Sequence, residues 1–190
     1  HLPDLVRGPV TAIVSSGSGM ATAGVLANLG LPPQLMSRCW ASMRTLPIRV
    51  GHLIVNGEKV GDSGPYYRDQ QELTWQQVQA MTGSESVAPE LTTVTKRVRR
   101  IFTWSMMQYT RFLVSCHPTD IFINFANYLD ANMAPGKSAM GTLRDTHPAV
   151  HQFIEGIDMH AYSVMPPRFR PVVRLLGIGA EHSQMVEIER

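Results

Sequence analysis

A chain of 190 residues with 44% hydrophobic side chains carries enough apolar surface for one compact domain, which excludes wholesale disorder. Its formal net charge of +2 is too small to mark a nucleic-acid binder, so any anion site has to come from local clustering. No apolar run reaches the roughly 18 residues of a membrane helix and no signal-peptide pattern is present, so a cytoplasmic protein that does not engage a membrane is expected.

Taken in chain order, VTAIV at residues 10–14 reads as a buried strand running into the small-residue loop Ser15-Ser16-Gly17-Ser18-Gly19. Leu31-Pro32-Pro33 opens a predicted helix whose apolar stripe is Leu35, Met36, Cys39, Trp40 and Met43. Pro47–Val50 is the next strand candidate. Leu53-Ile54-Val55, Asn56-Gly57 and Glu58-Lys59-Val60 then predict a hairpin over about 52–61, because Asn-Gly supplies the two left-handed residues of a tight turn. GDSGPYY, residues 61–67, is loop.

Thr74 with Gln77 has capping-box spacing, and Leu73 with Val78 can staple the same helix, which stops at Gly83. Residues 103–115 read as an apolar helix carrying Met106, Met107, Phe112 and Leu113, and Asp120–Phe125 as a short apolar strand. Pro148 opens a helix with Val150, Phe153, Ile154 and Ile157 at i, i+3, i+4 and i+7. Pro171–Leu176 closes the series as a strand ending in Gly177-Ile178-Gly179. The alternation predicts an α/β fold: a mixed or mostly parallel sheet with packed helices. Cys39 and Cys116 belong to no CxxC pattern and read as reduced core thiols, a single disulfide being the alternative. His147 and His151 have metal-ligand spacing, but at a helix start solvent exposure is the expectation.

Four places carry chemistry, each with a plainer reading. The serine-glycine loop 15–19 can take a phosphate on its backbone N–H groups, or be a flexible turn. In TTVTKRVRR, residues 92–100, four cations occupy five positions; extended, Arg97 and Arg99 share one face, with Lys96, Val98 and Arg100 on the other. A guanidinium pair fits a carboxylate or phosphate, and a solvated cationic edge strand is the other reading. Few aromatics flank the cluster, so nucleic acid is not expected there. Asn124 and Asn127, at the end of a strand, are placed to read a base edge or to make a turn. Gly177 and Gly179 end the last strand, where a flat ligand or another turn fits.

Taken as an ordered series, these stretches resemble the C-terminal half of adenylosuccinate synthetase. VSSGSGMATAGVLANLGLPP is similar to that family's serine/threonine-rich loop and Gly-Leu-Gly-Pro helix start, and ASMRTLPIRVG to its Lys-Ala-Tyr-x-Thr-Arg-Val-Gly segment. TTVTKRVRRIFTW resembles its Thr-Thr-Gly-Arg-x-Arg-Arg-x-Gly-Trp loop. GDSGPYYRDQQELTW, NFANYLD and LLGIGAEHSQM extend the likeness over nearly the whole chain.

The resemblance implies the C-terminal portion of a P-loop-NTPase-like adenylosuccinate synthetase fold. The complete enzyme uses GTP to phosphorylate the 6-oxygen of IMP, and aspartate then displaces the phosphate. It implies aspartate contacts at Thr93, Thr95, Arg97 and Arg99, and purine-nucleotide contacts at Ser15, Ser16, Ser18 and Arg97. Donor-base contacts would fall at Asn124, Asn127, Gly177 and Gly179. A magnesium ion and a homodimer are implied for the complete enzyme. The phosphate-gripping loop, the catalytic Asp and His and the metal ligands fall in the family's N-terminal half, ahead of His1. No catalytic or metal-binding residue is therefore expected in this chain, which is expected to be silent alone; a non-catalytic nucleotide- or dicarboxylate-binding homologue is the alternative.

Three departures bear on specificity. The guanine-reading Lys-Leu-Asp is Phe125-Ala126-Asn127 here, which removes an ionised acceptor and suggests ATP as donor. The second guanine-contacting stretch has lost its serine at Gly177–Glu181. The loop glycine is Lys96. Phage relatives acting on dGMP share this look, which leaves IMP or dGMP as acceptor.

Overall fold

Five strands carry the main sheet of the computed structural model: β1 (Trp40–Arg44), β7 (Asp120–Asn124), β9 (Val172–Gly177), β10 (Met185–Glu189) and β8 (Gly136–Ala139), in that spatial order. The structure describes residues 36–64, 66–83, 87–179 and 181–190, with 22, 24, 26, 30, 32 and 34. The strand expected at 10–14 and the serine loop, with Ser15, Ser16 and Ser18, lie outside the described residues. β1, β7 and β9 run parallel, β10 is antiparallel to β9, and β8 is parallel to β10. The sheet is mixed and mostly parallel, as the sequence predicts.

Ile121, Ile123, Val173 and Leu176 are completely buried on the inner face. The two isoleucines alternate along β7, and an irregularity in the β7–β9 ladder, which pairs Ile121 with Val173 and Ile123 with Leu176, brings the two β9 residues to the same face although they are three apart. α2 (Met106–Cys116) and α4 (Pro148–Val164) supply the rest of this core through Tyr109, Leu113, Val150, Ile154 and Ile157. α3 (Met140–Thr146) adds Leu143. Each such side chain contributes roughly 1.5–3 kcal/mol through burial. α2 starts where Ser105 Oγ accepts the Gln108 N–H, and α4 begins on Pro148.

The helix expected to carry Cys39, Trp40 and Met43 is corrected by the structure. Residues 40–44 form β1, in register from Trp40 opposite Asp120 to Arg44 opposite Asn124. Ala41 and Met43 also alternate, so they point to the core once β7 offers a partner; the long-range ladder overrides the helical spacing. The exposure expected of His147 and His151 is also corrected. His147 Nδ1 lies 2.8 Å from Asp130 Oδ2, and His151 is buried on α4.

A second, smaller core joins α1 (Trp75–Thr82) to a three-stranded antiparallel sheet of β2 (Ile48–Arg49), β6 (Arg100–Phe102) and β5 (Glu72–Leu73). Leu46, Trp75, Val78, Val87, Ile101 and Tyr128 fill it. The α1 capping box forms in both directions: Gln77 N–H to Thr74 Oγ1 at 3.1 Å and Thr74 N–H to Gln77 Oε1 at 2.7 Å. Gly83 ends the helix at φ 66°, in the left-handed region. Asn56 and Gly57 make the positive-φ turn between β3 (Leu53–Val55) and β4 (Glu58–Gly61).

Candidate functional site: the arginine loop and the strand ends

The arginine loop is closed at its neck by an antiparallel bridge between Leu91 and Val98. Inside the neck, Thr92 does most of the work. Its N–H donates to Arg97 O at 2.9 Å, its carbonyl accepts the Lys96 N–H at 3.1 Å, and its hydroxyl oxygen accepts the Arg97 N–H at 2.9 Å. That hydroxyl also shares a hydrogen bond with Thr95 Oγ1 at 2.6 Å. The sequence reading selects Thr93 and Thr95; Thr93 is exposed, while the buried Thr92 organises the loop. The signal for Thr92 is a threonine at the head of a tight turn, where its hydroxyl caps backbone N–H groups.

Lys96 turns the loop at φ 51°. Glycine occupies the matching position of the family pattern because the left-handed region costs a side-chain-bearing residue about 1 kcal/mol. The two-faced arrangement expected of 96–100 is corrected: Lys96 breaks the extended run, and Arg97, Val98, Arg99 and Arg100 all border one cleft.

The three arginines are held very differently. Arg100 is fully engaged: its Nε and Nη2 meet the two Glu72 carboxylate oxygens at 2.8 and 2.6 Å, and its Nη1 donates to Ser63 Oγ and Gly64 O. That hydrogen bond, working against burial, holds the Glu72 carboxyl below the ordinary carboxylate range. Arg99 has a clamped peptide: its N–H donates to Glu90 O at 2.8 Å, its carbonyl accepts Trp75 Nε1–H at 2.9 Å, and its Nε reaches Leu91 O at 3.3 Å. Arg97 is partly buried, and its guanidinium meets no hydrogen-bond or ion-pair partner among the described residues.

Arg97, Arg99 and Arg100 line one cleft of about 470 Å3, with Gly51, His52 and Trp75 among its other walls. Gly51 permits it: a Cβ there would stand 2.1 Å from the Val98 carbonyl oxygen, so only glycine lets β2's exit pass the loop. In chemical terms the cleft offers one unpaired and one pre-set guanidinium, a match for a small dicarboxylate or a phosphate.

The second set of sequence candidates lies at the carboxyl ends of β7 and β9. Asn124 Nδ2 donates to Ser42 Oγ at 2.7 Å. A Cβ on Gly177 would meet Asn124 Oδ1 at 2.8 Å, so these two are in direct contact. Gly179 instead makes the turn to β10: a Cβ on it would stand 2.2 Å from Gln184 Oε1, which accepts the Glu181 N–H. Asn127 sits in the 3₁₀ turn Ala126–Tyr128, and β9 lies against that turn. Its Oδ1 is buried with no hydrogen-bond partner among the described residues. Phe125 leads into the turn at φ 62°, with Thr45 Oγ1 donating to its carbonyl at 2.6 Å. Among the described residues no three His, Cys, Asp or Glu side chains gather as a metal site, and no helix is long and apolar enough to cross a membrane.

No protein-family model matches the chain. Among curated proteins it is similar to the N6-succino-2-amino-2'-deoxyadenylate synthase of Salmonella phage PMBT28, 36% identical over 158 residues, covering 83% of this chain and 37% of that one. The synthase of the same name from Acinetobacter phage SH-Ab 15497 is 44% identical over 107 residues, 56% of this chain and 26% of that one. Among solved structures, the succinoaminodeoxyadenylate synthetase of cyanophage S-2L, bound to dGMP and dATP as an energy donor, superposes with a TM-score of 0.55 at 30% identity. It covers 88% of this chain and 38% of that one. Adenylosuccinate synthetase from Plasmodium falciparum shares the fold with a TM-score of 0.61 at 12% identity, over 96% of this chain and 46% of that one. The chain belongs to the adenylosuccinate synthetase-like family. Within it, the phage synthases place the chain in the phage-type branch. The chain spans 26% and 37% of the length of the two curated relatives described.

Proposed function

We propose that this chain forms the aspartate-holding and donor-base-reading part of a ligase that joins aspartate to the 6-position of dGMP, with ATP as energy donor. The donor phosphorylates the 6-oxygen. The aspartate amine then forms the N–C6 bond as the C6–O bond breaks and phosphate leaves. On this reading Arg97 and Arg99, with Thr93 and Thr95 beside them, receive the aspartate carboxylates, and Arg97 also faces the acceptor nucleotide. Thr95's hydroxyl is already shared with Thr92, which leaves Thr93 the freer of the two.

The observation that carries the reading is Arg97: a partly buried guanidinium without a protein partner, beside a clamped Arg99, in a chain similar to synthases whose product carries a succino group. A half-buried cation is stable in that setting when an anion completes it. The stretch Phe125-Ala126-Asn127 supports adenine at the donor site, since it carries no ionised acceptor for guanine's N1–H and 2-amino group, while an asparagine amide offers both a donor and an acceptor. The solved cyanophage relative, bound to dGMP and to dATP as an energy donor, favours an adenine-nucleotide donor and dGMP as acceptor over GTP and IMP. Magnesium and a homodimer belong to the reading as expectations from the family; no described side chain here is assigned to the metal.

The test is turnover by the intact source protein with aspartate and either dGMP plus ATP or IMP plus GTP, followed as phosphate release. The expected outcome is a kcat/KM at least tenfold higher for dGMP with ATP. Turnover confined to IMP and GTP overturns the specificity, and ligand binding without turnover by either pair points to the non-catalytic homologue.

A further inference from the structure

The arginine loop and the turn at the end of β7 are tied together through Glu90 and Trp75, which both contact Tyr128 and both reach the main chain of Arg99. The main-chain carbonyl of Glu90 accepts the Arg99 N–H at 2.8 Å, and its carboxylate Oε1 accepts from Arg44 Nη2 and, at 2.9 Å, from Tyr128 OH. Tyr128 belongs to the same 3₁₀ turn as Asn127. Arg44 in turn lies flat over Phe125, its guanidinium carbon 3.6 Å from the ring centroid. The Nε1–H of Trp75 holds the Arg99 carbonyl while its ring meets Tyr128 edge-on at 6.5 Å.

The Arg99 peptide is therefore gripped on both sides by groups that also touch the turn at residues 125–128. Arg44 and Glu90 are about one-fifth exposed (21% and 22%), so their attraction is only partly screened by solvent. Burial, reinforced by the Glu90 carboxylate, pushes the Tyr128 phenol far above its ordinary range, so it stays protonated and donates. Phe125 holds a left-handed conformation that costs a bulky residue energy, so it keeps that conformation only while its contacts hold. A shift of the turn reaches Glu90 through Tyr128 and Arg44, and from Glu90 the Arg99 main chain, two residues from Arg97.

We propose that Glu90 is a positioning residue that couples the two halves of the site: a nucleotide seated at the β7 turn tightens the grip of Arg97 and Arg99 on a dicarboxylate. The proposal rests on the function proposed above and adds to it an energetic link between two ligands that do not share a contact residue.

The experiment uses the intact source protein with dGMP present, and succinate as a dicarboxylate that lacks the amine and so cannot turn over. Succinate affinity is measured by calorimetry with and without a non-hydrolysable ATP analogue. In the unaltered protein the analogue is expected to tighten succinate by about tenfold. In Glu90→Gln, which keeps the side chain's size and removes its charge, the factor falls to within about twofold of unity, and in Tyr128→Phe it falls between the two. A factor left intact in a Glu90→Gln protein of unchanged melting temperature overturns the proposal, as does an unaltered protein in which both ligands bind without affecting each other. Should Glu90→Gln fail to fold, Tyr128→Phe, which keeps the ring packed, decides alone. Succinate that does not bind the unaltered protein at all sinks the dicarboxylate reading itself, and this proposal with it.

Discussion

Ile121, Ile123, Val173 and Leu176 of the five-stranded sheet are completely buried, whereas Leu91, Val94 and Val98 of the arginine loop remain 50%, 89% and 52% exposed. The sheet is held by apolar area and by ladders whose register the side chains dictate. The loop has almost no apolar burial of its own; Thr92, Glu90 and Trp75 hold it through hydrogen bonds to backbone. Such a segment can be well placed and still be cheap to adjust, because few buried contacts have to break when it moves. The unpartnered guanidinium of Arg97 lies on the adjustable region and the large apolar core in the other. The unequal arginines follow the same division: Arg100, at the border, is engaged by Glu72, Ser63 and Gly64, and Arg97, inside the loop, has no hydrogen-bond or ion-pair partner for its guanidinium among the described residues.

The sharpest way to break this comparison is in the large core. Ile154→Ala is expected to cost about 4 kcal/mol in urea unfolding of the intact protein, because a fully buried side chain leaves a cavity between α4 and the sheet. Ile54→Ala, in the exposed hairpin, should stay within about 0.5 kcal/mol of the parent. A cost for Ile54 approaching that of Ile154 would mean the hairpin's apolar face is covered.

The paired arginines give the next effect. Arg100→Ala should destabilise by about 2 kcal/mol, since it removes the partner of Glu72, of the Ser63 hydroxyl and of the Gly64 carbonyl. Glu72's carboxyl is held below its ordinary value, so the pair stabilises at neutral pH and loses that contribution as acid protonates the carboxylate. The deficit of Arg100→Ala should accordingly shrink in unfolding titrations run at falling pH. Arg97→Ala should leave the melting temperature unchanged while weakening succinate binding by about a hundredfold. Equal thermal losses for both would remove the distinction between them.

The smallest effect sharpens the picture of the loop. Lys96→Gly should stabilise the protein by about 0.5 kcal/mol, read from the urea midpoint, because relief of the φ 51° conformation outweighs glycine's larger unfolded-state entropy while the exposed lysine side chain gives up little. A loss of stability instead would show that the lysine makes a compensating contact.

What could be read ahead of the structure was whatever a few neighbouring residues encode among themselves. The Thr74–Gln77 capping box, the Asn56-Gly57 turn and the stripe Val150, Ile154, Ile157 each depend on groups within a turn or two of one another. Their geometry is set before any distant partner arrives. The arginine cluster belongs to the same class, since charge density needs no tertiary information.

The remainder depended on pairing across the chain. Residues 40–44 satisfy both a helical and an alternating pattern, and only β7, some 80 residues away, selects the strand. The identity of Thr92 as loop organiser, the rivalry between Arg97 and Arg100 for structure and ligand, and the contact of Asn124 with Gly177 all hinge on who is nearby in space. Sequence alone determined the fold class and the cationic density of residues 92–100, because hydrophobic period and charge are local. Only the tertiary structure decided which cation is free to act, because Arg100's freedom is removed by Glu72 and Ser63, groups 28 and 37 residues distant.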